Sequence, residues 1–540
     1  MKATAIHEAI SAWRQVLGEE HVWDSDDQLA KVSRNASGLK RQVPAVIRPA
    51  STDEVAECVR AAGKFRQCIY PFSRGQNWGL GSRLPVRDGC VLMDLSRMNR
   101  IHEVSQEGAY AVIEPGVTQR ELHEHLKSND IPLIFNVTGS GAGSSVLGNA
   151  IDRGVGYLTT KAGSLSGQEI VLGTGEILRT GFAHYPDCLT THLYRYGLGP
   201  SLDELFSQSN FGIITRAGIA LHPRPCAAKV LVCRKRASVP LATFIEALIK
   251  AHRARILSAV IHVGNRHRAE AAMAPLAADY LRQKAPGSDQ EQIATAVRAF
   301  LRKERFADWT AVGAILGEPA VVSAGTRLAR RWLRDVAHLM IFDETRLRLA
   351  ESLVGLLSFV PAAGRKRALL PSIRTHIELC QGIPSSEPLK SAYWAIGLLP
   401  PPGAVEVDPD HSVCGMMFVL PIIPMQGAAA QEAVDIVESA FRQAGFLPYV
   451  TLNLVDQRFM EAVINVAFRR DQADQVERAH ALMSRLSRQF VEMGWYPYRL
   501  GVQEMDDFMT ENDPFWQTAR KLKAVFDPHH IIAPGRYNLV

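Results

Sequence analysis

Several common ways of building an active site are missing from this chain of 540 residues. Its eight cysteines (Cys58, Cys68, Cys90, Cys188, Cys226, Cys233, Cys380 and Cys414) lie far apart without a C-x-x-C pair. Zinc clamps and disulfide frameworks need closer, patterned spacing, so neither is expected. No apolar run reaches the length that spans a membrane. Residues Met1 to Gly18 read as an amphipathic helix with Ile6, Ile10, Trp13 and Val16 on one side, without the apolar core of a signal peptide. Charge of one sign is scarce too: 61 basic against 55 acidic residues leave a formal +6. That surplus is too small to argue for nucleic acid, and the clusters Arg327 to Arg334 and Arg365 to Arg367 read as solvated faces. The expectation is a cytoplasmic protein that binds no metal, membrane or nucleic acid. Its length predicts two or more domains and a large core.

Glycine, by contrast, is concentrated in two places. The stretch Pro71 to Ser82 lies between the apolar runs Cys68 to Phe72 and Cys90 to Met93. Its Gly75, Gly79 and Gly81 have the spacing G-x-x-x-G-x-G, which is not the G-x-G-x-x-G dinucleotide fingerprint, and no Gly-Lys-Ser/Thr follows. What remains is a loop whose bare N–H groups suit a pyrophosphate. The second patch runs from Thr138 through Gly139, Ser140 and Gly148 to Asn149, and on into Asp152, Arg153, Gly154, Gly156 and Tyr157. Val146, Leu147 and Ile151 interrupt it, and flexible linkers rarely carry such apolar anchors.

The chain around these patches alternates in short α and β units. Ser51 and Glu54 form a capping box for a helix that should stop near Gly63, and Thr118 with Glu121 caps another. Strands are expected at Cys90 to Leu95 and Tyr110 to Glu114, a hairpin at Glu169 to Arg179, and a last strand from Asn210 to near Pro223. Farther on, Val434, Val437 and Phe441 predict a helix closed by Gly445. Strands around Tyr449 to Val455 and Phe459 to Phe468 and a helix over Val476 to Phe490 follow, giving an α-β-β-α layer. Residues from about Pro240 to Leu356 read as a helix-rich insertion.

Six ordered segments carry a resemblance: Gly75-Gln76-Asn77-Trp78-Gly79; Tyr110-Ala111 with Glu114-Pro115-Gly116; Gly148-Asn149 with Asp152 to Tyr157; Tyr196 to Pro200; Ser207 to Gly212; and Ile532 to Gly535. Together they resemble the vanillyl-alcohol oxidase and p-cresol methylhydroxylase flavoprotein family. The resemblance implies an α+β fold with an FAD-binding domain split in sequence and an α/β substrate cap. The parts would be an N-terminal helical arm (1–42), the FAD domain (43–224), the cap (225–495) and a returning segment (496–540). It implies FAD contacts at Ser73, Arg74, Gly75, Gln76, Asn77, Trp78, Gly79, Pro115, Thr138, Gly139, Ser140, Gly148, Asn149, Arg153, Gly154, Gly156, Ile213 and Arg536. It also implies a small aromatic substrate, a cytochrome or other electron acceptor, and a homodimer.

In the family a tyrosine and a Tyr-Arg pair hold the phenol oxygen of a para-substituted substrate, and Tyr498-Arg499 matches the pair. An arginine beside a phenol hydroxyl supplies the field and donors that hold a phenolate. The other family tyrosine is Leu80 here, and the family aspartate near the reactive flavin edge is Ser140, which is no comparable base. Met416 stands where the family carries its flavin-linking side chain, so non-covalent FAD is expected, with His411 read as a loop residue. The family's Tyr-Thr-Pro-Tyr-Gly is altered to Tyr157-Leu158-Thr159-Thr160-Lys161. The implied activity is hydride removal from an activated carbon, benzylic and para to a phenol. A tailoring oxidase for a non-phenolic metabolite and a non-catalytic FAD-binding subunit are the alternatives.

Overall fold

Helix Thr52–Phe65 opens where Ser51 accepts the Glu54 amide and closes at Arg66 in the left-handed conformation (φ 53°). It runs past Gly63, the expected stop. A Cβ on Gly63 would lie 3.2 Å from the His529 ring, so glycine serves here to admit a neighbour rather than to end the helix. Val55, Val59 and Ala62 face a small sheet of parallel strands Val46–Ile47, Val91–Asp94 and Ile69–Phe72, extended by antiparallel Val22–Trp23. The computed structural model describes residues 2–356 and 361–539. The N-terminal helix Lys2–Leu17 buries Ile10 and Trp13 in this same core, and Trp13 Nε1 donates to Cys58 O at 3.0 Å.

Chain distant in sequence completes this sheet. Ile69 N donates to Ile531 O at 2.8 Å and Ala533 N to Ile69 O at 2.7 Å, which brings residues 531–536 alongside the first glycine loop. A second, five-stranded antiparallel sheet has the order Ile101–Ser105, Tyr110–Ile113, Gly212–Ala220, Leu165–Leu172, Ile177–Arg179. It carries the expected hairpin, while helix Gln119–Ser128 starts at the reciprocal Thr118/Glu121 capping box.

The cap is an eight-stranded antiparallel sheet. Seven strands follow in the order Ala337–Phe342, Ala227–Lys235, Trp309–Gly317, Ile261–Asn265, Tyr449–Leu454, Phe459–Arg469, Cys414–Val419, and Ile422–Pro424 also pairs with Phe459–Arg469. The insertion read as helix-rich therefore supplies three central or edge strands as well as helices. Its strands are stabilised by pairing with chain far away in sequence, which local periodicity does not register. Side-chain alternation gives the sheet two unlike faces. Ile261, Val263, Val450, Leu452, Met460, Ala462, Ile464 and Val466 pack under helices Leu241–Arg253, Pro319–Leu333, Gly427–Ala444 and Ala473–Glu492. Gly445 (φ 73°) closes the third of these as expected. Among the described residues no helix is long and apolar enough to cross a membrane.

Candidate active site

The other face of the cap sheet roofs a cavity of about 460 Å³ whose floor is the two glycine-rich patches. Register decides which side chains look down. Tyr449, Thr451 and Asn453 pair with Asn465, Val463 and Glu461, and His262 pairs with Asn453 on the next strand. All of these except Glu461 line the cavity, joined by Met416 and Phe418 from Cys414–Val419. Glu461 shares the face of Val463 and Asn465 by the two-residue period of a strand.

The floor holds most of the residues expected to contact the cofactor. Ser73 through Trp78, Pro115, Thr138, Gly139, Ser140, Gly148, Asn149, Gly156, Ile213 and Arg536 line the cavity. Gly79, Arg153 and Gly154 do not. Gly79 (φ 77°) instead sits under the cap, where a Cβ would be 2.5 Å from the Phe418 ring. Trp78 points toward the cap, with Nε1 donating to Asp408 Oδ1 at 3.1 Å and its ring packed with Met416 and Ala392. Sequence reasoning had not assigned Ser144, Ser145, Ile532 and Ala533, which complete the floor.

Asp152 ties this floor to the wall. Its Oδ2 accepts Arg499 Nη2 at 2.5 Å and Nε at 3.1 Å, and its Oδ1 accepts Arg536 Nη2 at 2.9 Å. Arg499 Nη2 also donates to Asn77 Oδ1 at 2.8 Å, and Arg536 Nη1 to Tyr70 Oη at 3.0 Å. Burial alone would raise Asp152, but the two guanidinium charges outweigh it and hold the carboxyl below its ordinary value. Two guanidinium groups against one carboxylate leave a net positive charge beside the cavity. Next to them the Tyr498 hydroxyl is raised by burial and by Glu461 despite Arg499.

Glu461 was not foreseen. Its side chain is buried, Oε2 has no hydrogen-bond partner, and burial pushes its pKa up to about 8 against the pull of Arg499. A carboxylate in a mostly apolar strand, Phe459–Arg469, was the signal available. Ser140 offers no such group: its Oγ lies 2.9 Å from Ser144 Oγ. Tyr157 clusters with two neutral histidines, tilted against His262 with ring centroids 4.8 Å apart and edge-on to His376 at 5.2 Å, and burial lowers the histidine pKa values to about 4 and about 3. Lys161, in the altered segment, is buried with no partner for Nζ; burial and the Arg499 charge bring it down to about 7.

The family described as FAD binding domain matches residues 43–181. Over the whole chain the sequence is 32% identical to 1'-carboxy-chondrochloren decarboxylase of Chondromyces crocatus, covering 100% of this chain and 98% of that one. The chain belongs to the vanillyl-alcohol oxidase and p-cresol methylhydroxylase flavoprotein family. It is 24% identical to the 4-cresol dehydrogenase [hydroxylating] flavoprotein subunit of Pseudomonas putida, covering 98% and 95% of the two chains. The fold matches 4-ethylphenol oxidase from Gulosibacter chungangensis with a TM-score of 0.84 at 24% identity, over 99% of this chain and 98% of that one.

This flavoprotein is an FAD-dependent oxidoreductase, and its floor fits the cofactor. Gln76 Oε1 and Asn149 Oδ1 are buried on the cavity wall without partners. A Cβ on Gly148 would lie 2.7 Å from Ser73 Oγ, filling the cradle that glycine leaves open. Ser73, Gly75, Gln76, Asn77, Gly148 and Asn149 would hold the dinucleotide, with Arg499 and Arg536 supplying positive charge nearby. Met416 lines the cavity and is buried, whereas His411 lies outside it, with Nε2 3.8 Å from Asp408 Oδ2.

Proposed function

We propose that this flavoprotein removes a hydride from an activated carbon of an aromatic substrate, benzylic and para to a hydroxyl. The observation that carries the reading is Tyr498 beside Arg499 on the cavity wall, in a cluster with one uncompensated positive charge. Tyr498 donates to the substrate oxygen, and the guanidinium stabilises the phenolate that pushes electrons toward the carbon losing hydride. Asp152 and Asn77 grip Arg499, so the donor arrives already oriented and its reorganisation cost is small. Glu461, buried behind the lining and raised to about 8 by burial, adds no full negative charge there at neutral pH to offset the arginines. Trp78, Leu389, Met416 and Phe418 supply the apolar wall for the ring. Bound FAD supplies the hydride acceptor.

Two observations favour a more functionalised substrate than a simple alkylphenol. Leu80, which removes one member of the phenolate clamp, lines the cavity and is buried. The relative from Chondromyces crocatus is named for a carboxylated compound and its decarboxylation, which supports a substrate bearing a carboxylate. Anaerobic mixing separates the readings. Bleaching of the flavin by 4-hydroxyphenyl compounds supports the proposal, and bleaching only by compounds without a phenol supports a tailoring oxidase in its place. Peroxide formation in air then identifies oxygen as the acceptor, and its absence points to a cytochrome or other carrier.

A further inference from the structure

We propose that Arg268 is a specificity residue that holds a carboxylate on the substrate, at the end of the cavity away from Tyr498. The proposal rests on the reading of this cavity as the substrate site. Arg268 lies in the first turn of helix Arg266–Lys284, where Asn265 Oδ1 accepts its amide at 3.0 Å. Its side chain passes over Gly264; a Cβ there would lie 3.3 Å from Arg268 Cγ, so any larger residue would press on it. The residue lines the cavity, and Nη1 donates to Ser391 Oγ at 2.9 Å.

What this arginine lacks is a counter-charge. No acidic side chain among the described residues pairs with it, and Glu270, two residues on, is taken by Arg266 at 2.8 Å. Its neighbours are Tyr157 and Tyr449, both pushed up to about 12 by burial, and the neutral His262. None of them carries negative charge at neutral pH. Arg499 and Arg536, by contrast, share Asp152. A guanidinium withdrawn from water without a partner is costly, and an anionic ligand removes that cost. A planar fork with a single positive charge suits a monoanionic carboxylate better than a phosphate.

Arg268 neighbours Tyr157 and Tyr449, whereas Tyr498 neighbours Glu461, Arg499 and Asp152, so the two groups belong to different parts of the cavity lining. A 3-arylpropanoid carries a phenol oxygen and a carboxylate roughly 9 Å apart and so presents one group to each. Ser391 Oγ accepts Arg268 Nη1 at 2.9 Å and donates to Pro388 O at 2.7 Å, which fixes the guanidinium in place.

Trans-4-hydroxycinnamate and its amide test this, since neither has an sp³ benzylic hydrogen to lose and both report binding alone. Titrated calorimetrically into the FAD-loaded protein, the acid should bind at least tenfold tighter than the amide. Arg268→Gln should abolish that preference by weakening the acid far more than the amide, and Arg268→Lys should restore part of it. Equal affinity of the wild type for acid and amide, or an Arg268→Gln protein that keeps the preference, overturns the proposal. The wild-type comparison stands alone should the variant not fold. Trans-4-methoxycinnamate separates the two ends: undiminished binding of this ether, with the acid still preferred over the amide, sinks the phenol reading and leaves the carboxylate site standing.

Discussion

Replacing Asp152 by asparagine keeps the shape of the side chain and removes only the charge that holds two arginines in place. The structure allows the cost to be worked out. The carboxylate is 9% exposed and touches Arg499 at 2.5 Å and Arg536 at 2.9 Å. Each contact is worth about 4 kcal/mol at an effective dielectric near 20, and desolvation of the carboxylate, several kcal/mol, opposes the sum. Removing the carboxylate strands two buried guanidinium groups, so Asp152→Asn should destabilise the FAD domain by about 3–5 kcal/mol. Urea denaturation followed by circular dichroism measures it. Because stranded arginine charge is the cause, Asp152→Asn with Arg499→Gln should be less destabilised than Asp152→Asn alone. The pH sign follows from the lowered carboxyl: its contribution is complete above its ordinary value of 3.8 and fades as pH falls through the folded value. The gap between wild type and variant should be constant from about pH 6 to 8 and close only in acid. A single variant within about 0.5 kcal/mol of wild type, or a double variant less stable than the single, refutes the argument.

Four further outcomes follow from the same geometry. Arg499→Ala should retain FAD but slow its reduction by substrate about 100-fold, on the scale of losing an oxyanion donor, as read by anaerobic stopped flow. Glu461 is raised from 4.5 to about 8 by burial, so the folded state binds its proton more tightly and stability falls as pH rises across that window. Glu461→Gln should remove that contribution, about 1.4 kcal/mol per pH unit at most, which denaturation at several pH values will detect. Acid precipitation should release the yellow colour into the supernatant because Met416 cannot form a histidyl or tyrosyl flavin bond; colour in the pellet would redirect attention to His411. Leu80→Tyr should raise kcat/KM for small 4-alkylphenols relative to carboxylated substrates in steady-state assays.

The local devices of the fold were legible because their chemistry is complete within a few residues. The Thr118/Glu121 box and the Gly445 cap need only neighbours in sequence, and both occur. Long-range pairing was less visible. Trp309–Gly317 mixes small and branched residues without clear alternation, and it becomes a strand because two partners lie beside it. Both glycine-rich patches lie on the cavity floor, yet Gly79 makes room for Phe418 instead. Arg268 was invisible for a physical reason: within Arg266-His267-Arg268 it looks like any solvated helix start. Only the register that places Gly264 beneath it shows that its charge enters a cavity.

The hydrogen bonds between Ile69 and residues 531–533 have a consequence for synthesis. The first glycine loop leaves the ribosome early, but Ile532, Ala533 and Arg536, which wall the same cavity, are made only after the entire cap. At about 5–20 residues per second the interval is tens of seconds. During it the cap sheet, whose pairings lie wholly within residues 227–469, already has all of its strands, while the floor lacks the chain that bonds to Ile69. Residues 531–536 are therefore the last part of the cavity lining to be made, and a chain shortened before residue 531 has every strand of its roof and only part of its floor.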